Sequence, residues 1–193
     1  ADKDFNAVVK RSRDVANGMS KGVQFLMKKN KIDVINGHGT LKKGKKVEVK
    51  DDKDKTETYE ADHVIIATGA RSREISSIPQ DGKKVIGYRK AMTLEKQPDS
   101  MIIVGSGAIG SEFASFYSDM GTEVTLVEFL PNIVPVEDEE VCKQFARIYK
   151  KKGIKVMTNS SVESVDTSGK KVKAKVKTKK GEETLEADIV LSA

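Results

Sequence analysis

The sequence predicts an α/β fold in which a parallel sheet of the Rossmann type, closed by an antiparallel meander, follows a separate strand-rich segment. Three observations predict it. An apolar strand at 101–104 runs into a glycine-rich turn, a helical stretch and a second strand at 123–127. The near-continuous apolar run Val64-Ile65-Ile66-Ala67 has the composition of a strand covered on both faces. Short runs around Gly169 and Gly181, between residues 161 and 186, read as antiparallel strands joined by tight turns.

The elements follow in order. Phe5, Val8, Val15, Met19, Val23, Leu26 and Met27 recur at helical spacings, which predicts an amphipathic helix from residue 4 to about 29. Residues 32–35 and 47–49 alternate apolar and polar and are expected as strands; Tyr59 to Asp62 leads into the 64–67 run. Residues 71–100 carry Pro79, Gly82, Gly87 and Pro98 and read mostly as loop, which places a domain boundary near 95. A strand at 101–104, a helix at 108–120, a strand at 123–127, a helix at 137–152 and a strand at 154–157 come next. The second of these helices has acids at 137–140 and lysines at 150–152, matching its dipole, with Gly153 as the stop. Strands at 162–165, 172–178, 183–186 and 188–192 complete the pattern.

Composition narrows the function. The chain has 193 residues and a net charge of +6, but its lysines sit in turns among acids, and it has no tryptophan on which bases could stack. A solvated basic surface is expected, with no nucleic-acid partner. No apolar run approaches the roughly 20 residues of a membrane helix. The charged start Ala1-Asp2-Lys3-Asp4 has no apolar signal region, so a cytoplasmic protein without membrane contact is expected. The chain ends within what reads as a core strand and lacks a starting methionine, so it is expected to be a piece of a longer protein.

The chemistry lies in Gly105-Ser106-Gly107-Ala108-Ile109-Gly110, a G-x-G-x-x-G turn between a strand and a helix. Gly105 permits the tight turn, Gly107 lets backbone approach a pyrophosphate, and Gly110 lets the helix pack on the sheet. The helix start then presents N–H groups and a positive dipole end to phosphate. Glu128 ends the next strand, about 20 residues on, where an acid accepts from the adenosine ribose. Its charge opposes a 2′-phosphate, and residues 129–134 offer no Arg or Lys to neutralise one, which favours NAD over NADP. Glu112 has two readings: a carboxylate complementing the helix dipole, or a group near the nicotinamide.

Residues 101–128, MIIVGSGAIGSEFASFYSDMGTEVTLVE, with FLPNIVPVEDEEV after them, resemble the NAD segment of the pyridine-nucleotide disulfide oxidoreductases, and within that family the dihydrolipoamide dehydrogenase branch. VIIATGARSREISSIP at 64–79 and NKIDVINGHGTL at 30–41 are similar to pieces of the family's flavin domain. The resemblance implies a partial FAD-binding segment at 1–95 and an NAD-binding domain at 96–193. It implies that Gly39 sits near the flavin adenosine, that Thr68, Gly69 and Ala70 line the flavin, and that Val162 contacts the adenosine side of NAD. It also implies a parent that oxidises protein-bound dihydrolipoamide with NAD by way of a disulfide and FAD, acts as a homodimer, and meets a lipoyl-bearing protein of a 2-oxo acid dehydrogenase complex. Ala108 and Glu128 depart from the glutathione-reductase branch. The family's C-x-x-x-x-C pair and its His–Glu pair are missing, and Cys142 is the sole cysteine, so this chain alone is expected to be inactive. Another family enzyme (an NADH oxidase, a transhydrogenase or a mercuric reductase) and a stand-alone NAD-binding sensor remain alternatives.

Overall fold

A computed structural model describes residues 3–193. The chain divides into two compact units, residues 11–71 and residues 72–193 together with the first ten.

The larger unit is built on a five-stranded sheet. Its strands are β4 (Val85–Gly87), β5 (Ser100–Val104), β6 (Glu123–Val127), β7 (Lys155–Met157) and β11 (Ile189–Ser192). Every pairing is parallel and the order is β4-β11-β5-β6-β7. From β5 the chain winds outward through β6 to β7, then crosses back to place β11 on the other side of β5. The order reverses between β5 and β11, the switch point at which open α/β sheets bind ligands. The helices α3 (Ala108–Met120) and α4 (Glu139–Lys151) make the crossovers between β5, β6 and β7. The return from β7 to β11 runs through an antiparallel meander of β8 (Ser161–Asp166), β9 (Val172–Thr178) and β10 (Gly181–Ala187).

Strand alternation divides the core between the two faces of this sheet. Met101, Ile103, Val124, Leu126 and Leu191 pack with Ala114, Tyr117 and Tyr149 of the helices. Ile102, Val127, Val85 and Val190 pack with Val162, Val172, Ala174 and Val176 of the meander. The Tyr117 hydroxyl donates to the Ala91 carbonyl at 2.6 Å, and burial pushes its pKa up to about 12. Asp138 caps α4 by accepting from the N–H groups of Glu140 and Val141, and Gly153 turns the chain away at φ +82°.

Residues 71–100 hold more structure than expected. β4 and the short helix α2 (Tyr88–Ala91) lie there, and Ile78, Val85, Ile86 and Leu94 are buried. Asp81 organises the turn before β4, accepting at its Oδ1 from the N–H groups of Lys83, Lys84 and Val85 at 2.8–2.9 Å. Partial burial raises its pKa, but those N–H bonds outweigh it and hold the carboxyl below its ordinary value. A carboxyl depressed in the folded state stabilises fully above its unfolded pKa of about 3.9, and that stabilisation is lost as pH falls through the folded value. Asp81→Asn is therefore expected to flatten the acid limb of melting temperature against pH below about pH 4, which a thermal scan series measures.

The smaller unit contains the rest of α1 (Phe5–Lys29) and a three-stranded antiparallel sheet, β1 (His38–Lys42), β2 (Lys46–Lys50) and β3 (Thr56–Glu60). α1 forms over the expected span, but its buried residue is Phe5, in the core of the larger unit; Val15, Met19, Val23 and Leu26 are exposed. Helical periodicity reports an amphipathic face, and burial needs an opposing surface that the described residues do not supply. Residues 32–35 are irregular, and β1 begins at His38 instead. The 64–67 run is not a strand either: Ile65 is 90% exposed and Ile66 69%. A strand buried on both faces requires neighbours on each edge, and no described strand pairs with it.

Candidate functional site

The glycine turn leaves the carboxyl end of β5 at the switch point. Gly105 has φ +100°, a conformation open to glycine, and a Cβ there would stand 2.6 Å from the Ala193 carbonyl oxygen. Gly110 is pressed against the turn itself: its Cβ would lie 2.0 Å from the Gly105 carbonyl oxygen. Gly107 differs from both. Its φ is −62°, which any residue adopts, and nothing lies within 4 Å of the position of a Cβ. The space above Gly107 is open.

Gly107 is also the N-cap of α3, and no side chain caps this helix. The first-turn N–H groups are therefore left for another acceptor. Gly107, Ala108 and Ile109 are exposed, with Ile109 held 44% open to solvent at the helix start. An uncapped helix start beside open space suits a phosphate that takes N–H bonds at close range.

Beneath this exposed rim lies a buried polar network. Glu128 follows β6 and is 7% exposed. Its Oε2 accepts from the Ser106 N–H at 2.9 Å and from the Ser106 hydroxyl at 2.6 Å, and its Oε1 accepts from the Leu130 N–H at 2.8 Å. These three bonds offset the cost of burying a carboxylate. Ser106 is fully buried, and its carbonyl accepts from the Ser111 hydroxyl and the Val134 N–H, both at 3.0 Å. Val134 holds φ +45°, an uncommon conformation for a β-branched residue, and fixes the loop after β6 against the glycine turn. The Tyr149 hydroxyl of α4 donates to the Ser111 carbonyl; burial raises that phenol's pKa. Gly105, Ser106, Gly107, Ala108, Ile109, Gly110 and Glu128 thus come together. Val134, Ser111 and Tyr149 join them without having been singled out in the sequence; the small side chain at 111 was the one available hint.

The other candidates are placed differently. Glu112 is exposed and lies beyond the first turn of α3, which removes it from the region where the helix dipole acts strongly. The Val162 side chain is buried among Val127, Val172 and Val176, and its carbonyl accepts from the Ser77 hydroxyl at 2.8 Å. Gly39 is an exposed position of β1, and Thr68, Gly69 and Ala70 are exposed coil, all in the smaller unit. Among the described residues, no hydrogen bond or core packing joins Gly39 to Thr68, Gly69 or Ala70. Cys142 is buried on α4, with its Sγ against the carbonyls of Val134 and Glu137.

A parallel sheet with an uncapped glycine turn at its switch point and a buried acid after the next strand is an α/β arrangement with the geometry to receive a dinucleotide. Comparison with known proteins narrows the class: the profile of the family described as pyridine nucleotide-disulphide oxidoreductase matches residues 2–193, and this chain belongs to that family. It is 43% identical over 205 aligned positions to a dihydrolipoyl dehydrogenase of Rhizobium etli, covering 98% of this chain and 43% of the relative. It is 39% identical to that of Zymomonas mobilis, covering 96% of this chain and 40% of the relative. Among solved structures, LpdA from Mycobacterium tuberculosis superposes with a TM-score of 0.90 at 26% identity, over 100% of this chain and 43% of that one. The HOCl-induced flavoprotein disulfide reductase RclA from Escherichia coli superposes at 0.83 with 25% identity, over 100% of this chain and 43% of that one. The chain spans about two-fifths of the length of the curated relatives it matches. Among the described residues, no helix is long and apolar enough to cross a membrane.

Proposed function

We propose that this chain is the NAD-binding portion, with part of the flavin-binding portion, of a flavin-dependent dihydrolipoamide dehydrogenase. The observation that carries the reading is the exposed, uncapped start of α3 with open space over Gly107, set beside Glu128. The relatives named dihydrolipoyl dehydrogenase support the choice of enzyme within the family. The N–H groups at the start of α3 take the pyrophosphate, and Glu128 takes the adenosine ribose. The backbone at Val162 borders the adenosine side. Glu112, exposed and without a described hydrogen bond, faces the nicotinamide half. Bound there, NAD supplies the hydride-accepting ring, and the chain's part is to hold and orient it. In the parent the electron donor is protein-bound dihydrolipoamide, presented by a lipoyl-bearing partner to a homodimer. The chain has one cysteine and cannot supply a dithiol–disulfide pair, so alone it is expected to bind NAD without turning over.

Cofactor preference tests this reading. NADH is expected to bind at least tenfold more tightly than NADPH, a difference of about 1.4 kcal/mol, because the Glu128 carboxylate repels a 2′-phosphate. Titration calorimetry that gives equal or reversed preference contradicts it.

A further inference from the structure

Glu128 meets the cofactor through a carboxylate that is already largely engaged. An ionised carboxylate has about four acceptor positions. Three are taken in this structure: two at Oε2, by the N–H and hydroxyl of Ser106, and one at Oε1, by the N–H of Leu130. The free acceptor position is on Oε1. We infer that Ser106 is a positioning residue for cofactor selection: its hydroxyl holds Oε2 inward and so presents Oε1 to the ribose.

The geometry carries this in three ways. The hydroxyl contact is the shorter of the two that Ser106 makes with Oε2, at 2.6 Å against 2.9 Å for its N–H. Ser106 is fully buried, so its hydroxyl is shielded from solvent and acts through Glu128. Its own carbonyl is pinned by Ser111 and Val134, so the donor is fixed on a rigid turn. An acceptor held in its bound orientation loses little freedom when the ribose arrives, and that preorganisation adds to affinity. It also places negative charge where a 2′-phosphate would stand. Without the hydroxyl, the carboxylate keeps one N–H bond to each oxygen but loses the shorter of the two bonds that hold Oε2 inward, and its orientation loosens. NAD then loses a fixed acceptor, while NADP loses part of a fixed repulsion.

This inference rests on the proposed dinucleotide site, and a double-mutant cycle separates the two. NADH and NADPH are titrated into the parent chain, Ser106→Ala, Glu128→Gln and the double variant, with melting temperature without ligand as the measure of folding. Ser106→Ala is expected to weaken NADH at least fivefold and NADPH less than twofold, shrinking the preference between them. In the Glu128→Gln background, where the charge is gone, the same change is expected to leave the NADH-to-NADPH ratio within twofold. Ser106→Cys, close in volume with a weak S–H donor, is expected to fall between serine and alanine and serves if the alanine variant folds poorly. A parent chain that does not bind NADH overturns the proposed function itself. A parent that binds NADH, with Ser106→Ala and Ser106→Cys keeping the parent's NADH-to-NADPH ratio, overturns the positioning role and leaves Ser106 to the fold alone.

Discussion

Gly107→Val is expected to abolish the NADH-induced rise in melting temperature while leaving the ligand-free chain within a few degrees of the parent. The backbone at Gly107 has φ −62°, and nothing stands within 4 Å of the Cβ position, so an added Cβ meets neither strain nor collision in the protein itself. The cost to folding is that of a poor N-cap, about 0.5–1 kcal/mol. The branched side chain instead fills the space a pyrophosphate needs to reach the start of α3. In the parent chain, ligand at a hundred times its dissociation constant adds about 2.7 kcal/mol of stability, which a thermal scan resolves easily. A variant that keeps the full NADH-induced shift would show that the open space serves no dinucleotide.

Gly110→Ala is expected to produce the opposite pattern, a loss of fold. Its Cβ would stand 2.0 Å from the Gly105 carbonyl oxygen and 3.2 Å from the Ala193 Cβ. The nearest obstacle is backbone, and no rotamer change relieves it. α3 would have to move off the sheet and drag the glycine turn with it. Overpacking of this kind costs about 3 kcal/mol or more, a fall of roughly 10 °C in melting temperature for a chain of this size. Two glycines of one motif, three residues apart, thus differ in what surrounds them: open space at Gly107, and the backbone of the turn at Gly110. Circular dichroism melts of the two variants side by side distinguish them, and a Gly110→Ala chain as stable as the parent would contradict the packing described here.

The sequence made the strand–turn–helix–strand core legible because each piece carries a local signal. β5 and β6 are apolar runs of strand length, α3 has its periodicity, and the glycines fall at the one spacing that joins them. The meander was legible for the same reason, through the alternation in Val172–Thr178 and the turn at Gly181. What was hidden depends on partners far along the chain. β4 is three residues long and is a strand because it pairs with β11, about a hundred residues later. Phe5 joins the core of the larger unit across a comparable separation. Residues 64–67 misled in the other direction: an apolar run states what it would bury, and only neighbouring strands decide whether it does.

The site divides along the same line. The place of Glu128, directly after β6 and beside the glycine turn, was legible in the sequence. Its bonds to Ser106 were not, because they join positions brought together only when β5 and β6 pair in register. The strained Val134, which fixes the following loop to Ser106, gave no local sign at all.

Whether the turn at residues 105–110, with Glu128, holds an NAD-type dinucleotide is tested most directly by amide NMR on the isotope-labelled 21.2 kDa chain, titrated with NADH. Saturable shifts are expected, concentrated at Gly105, Ser106, Gly107, Ala108, Ile109, Gly110 and Glu128, with the largest at the uncapped N–H groups that begin α3. Saturable shifts centred elsewhere, or no shifts at millimolar NADH, would contradict it.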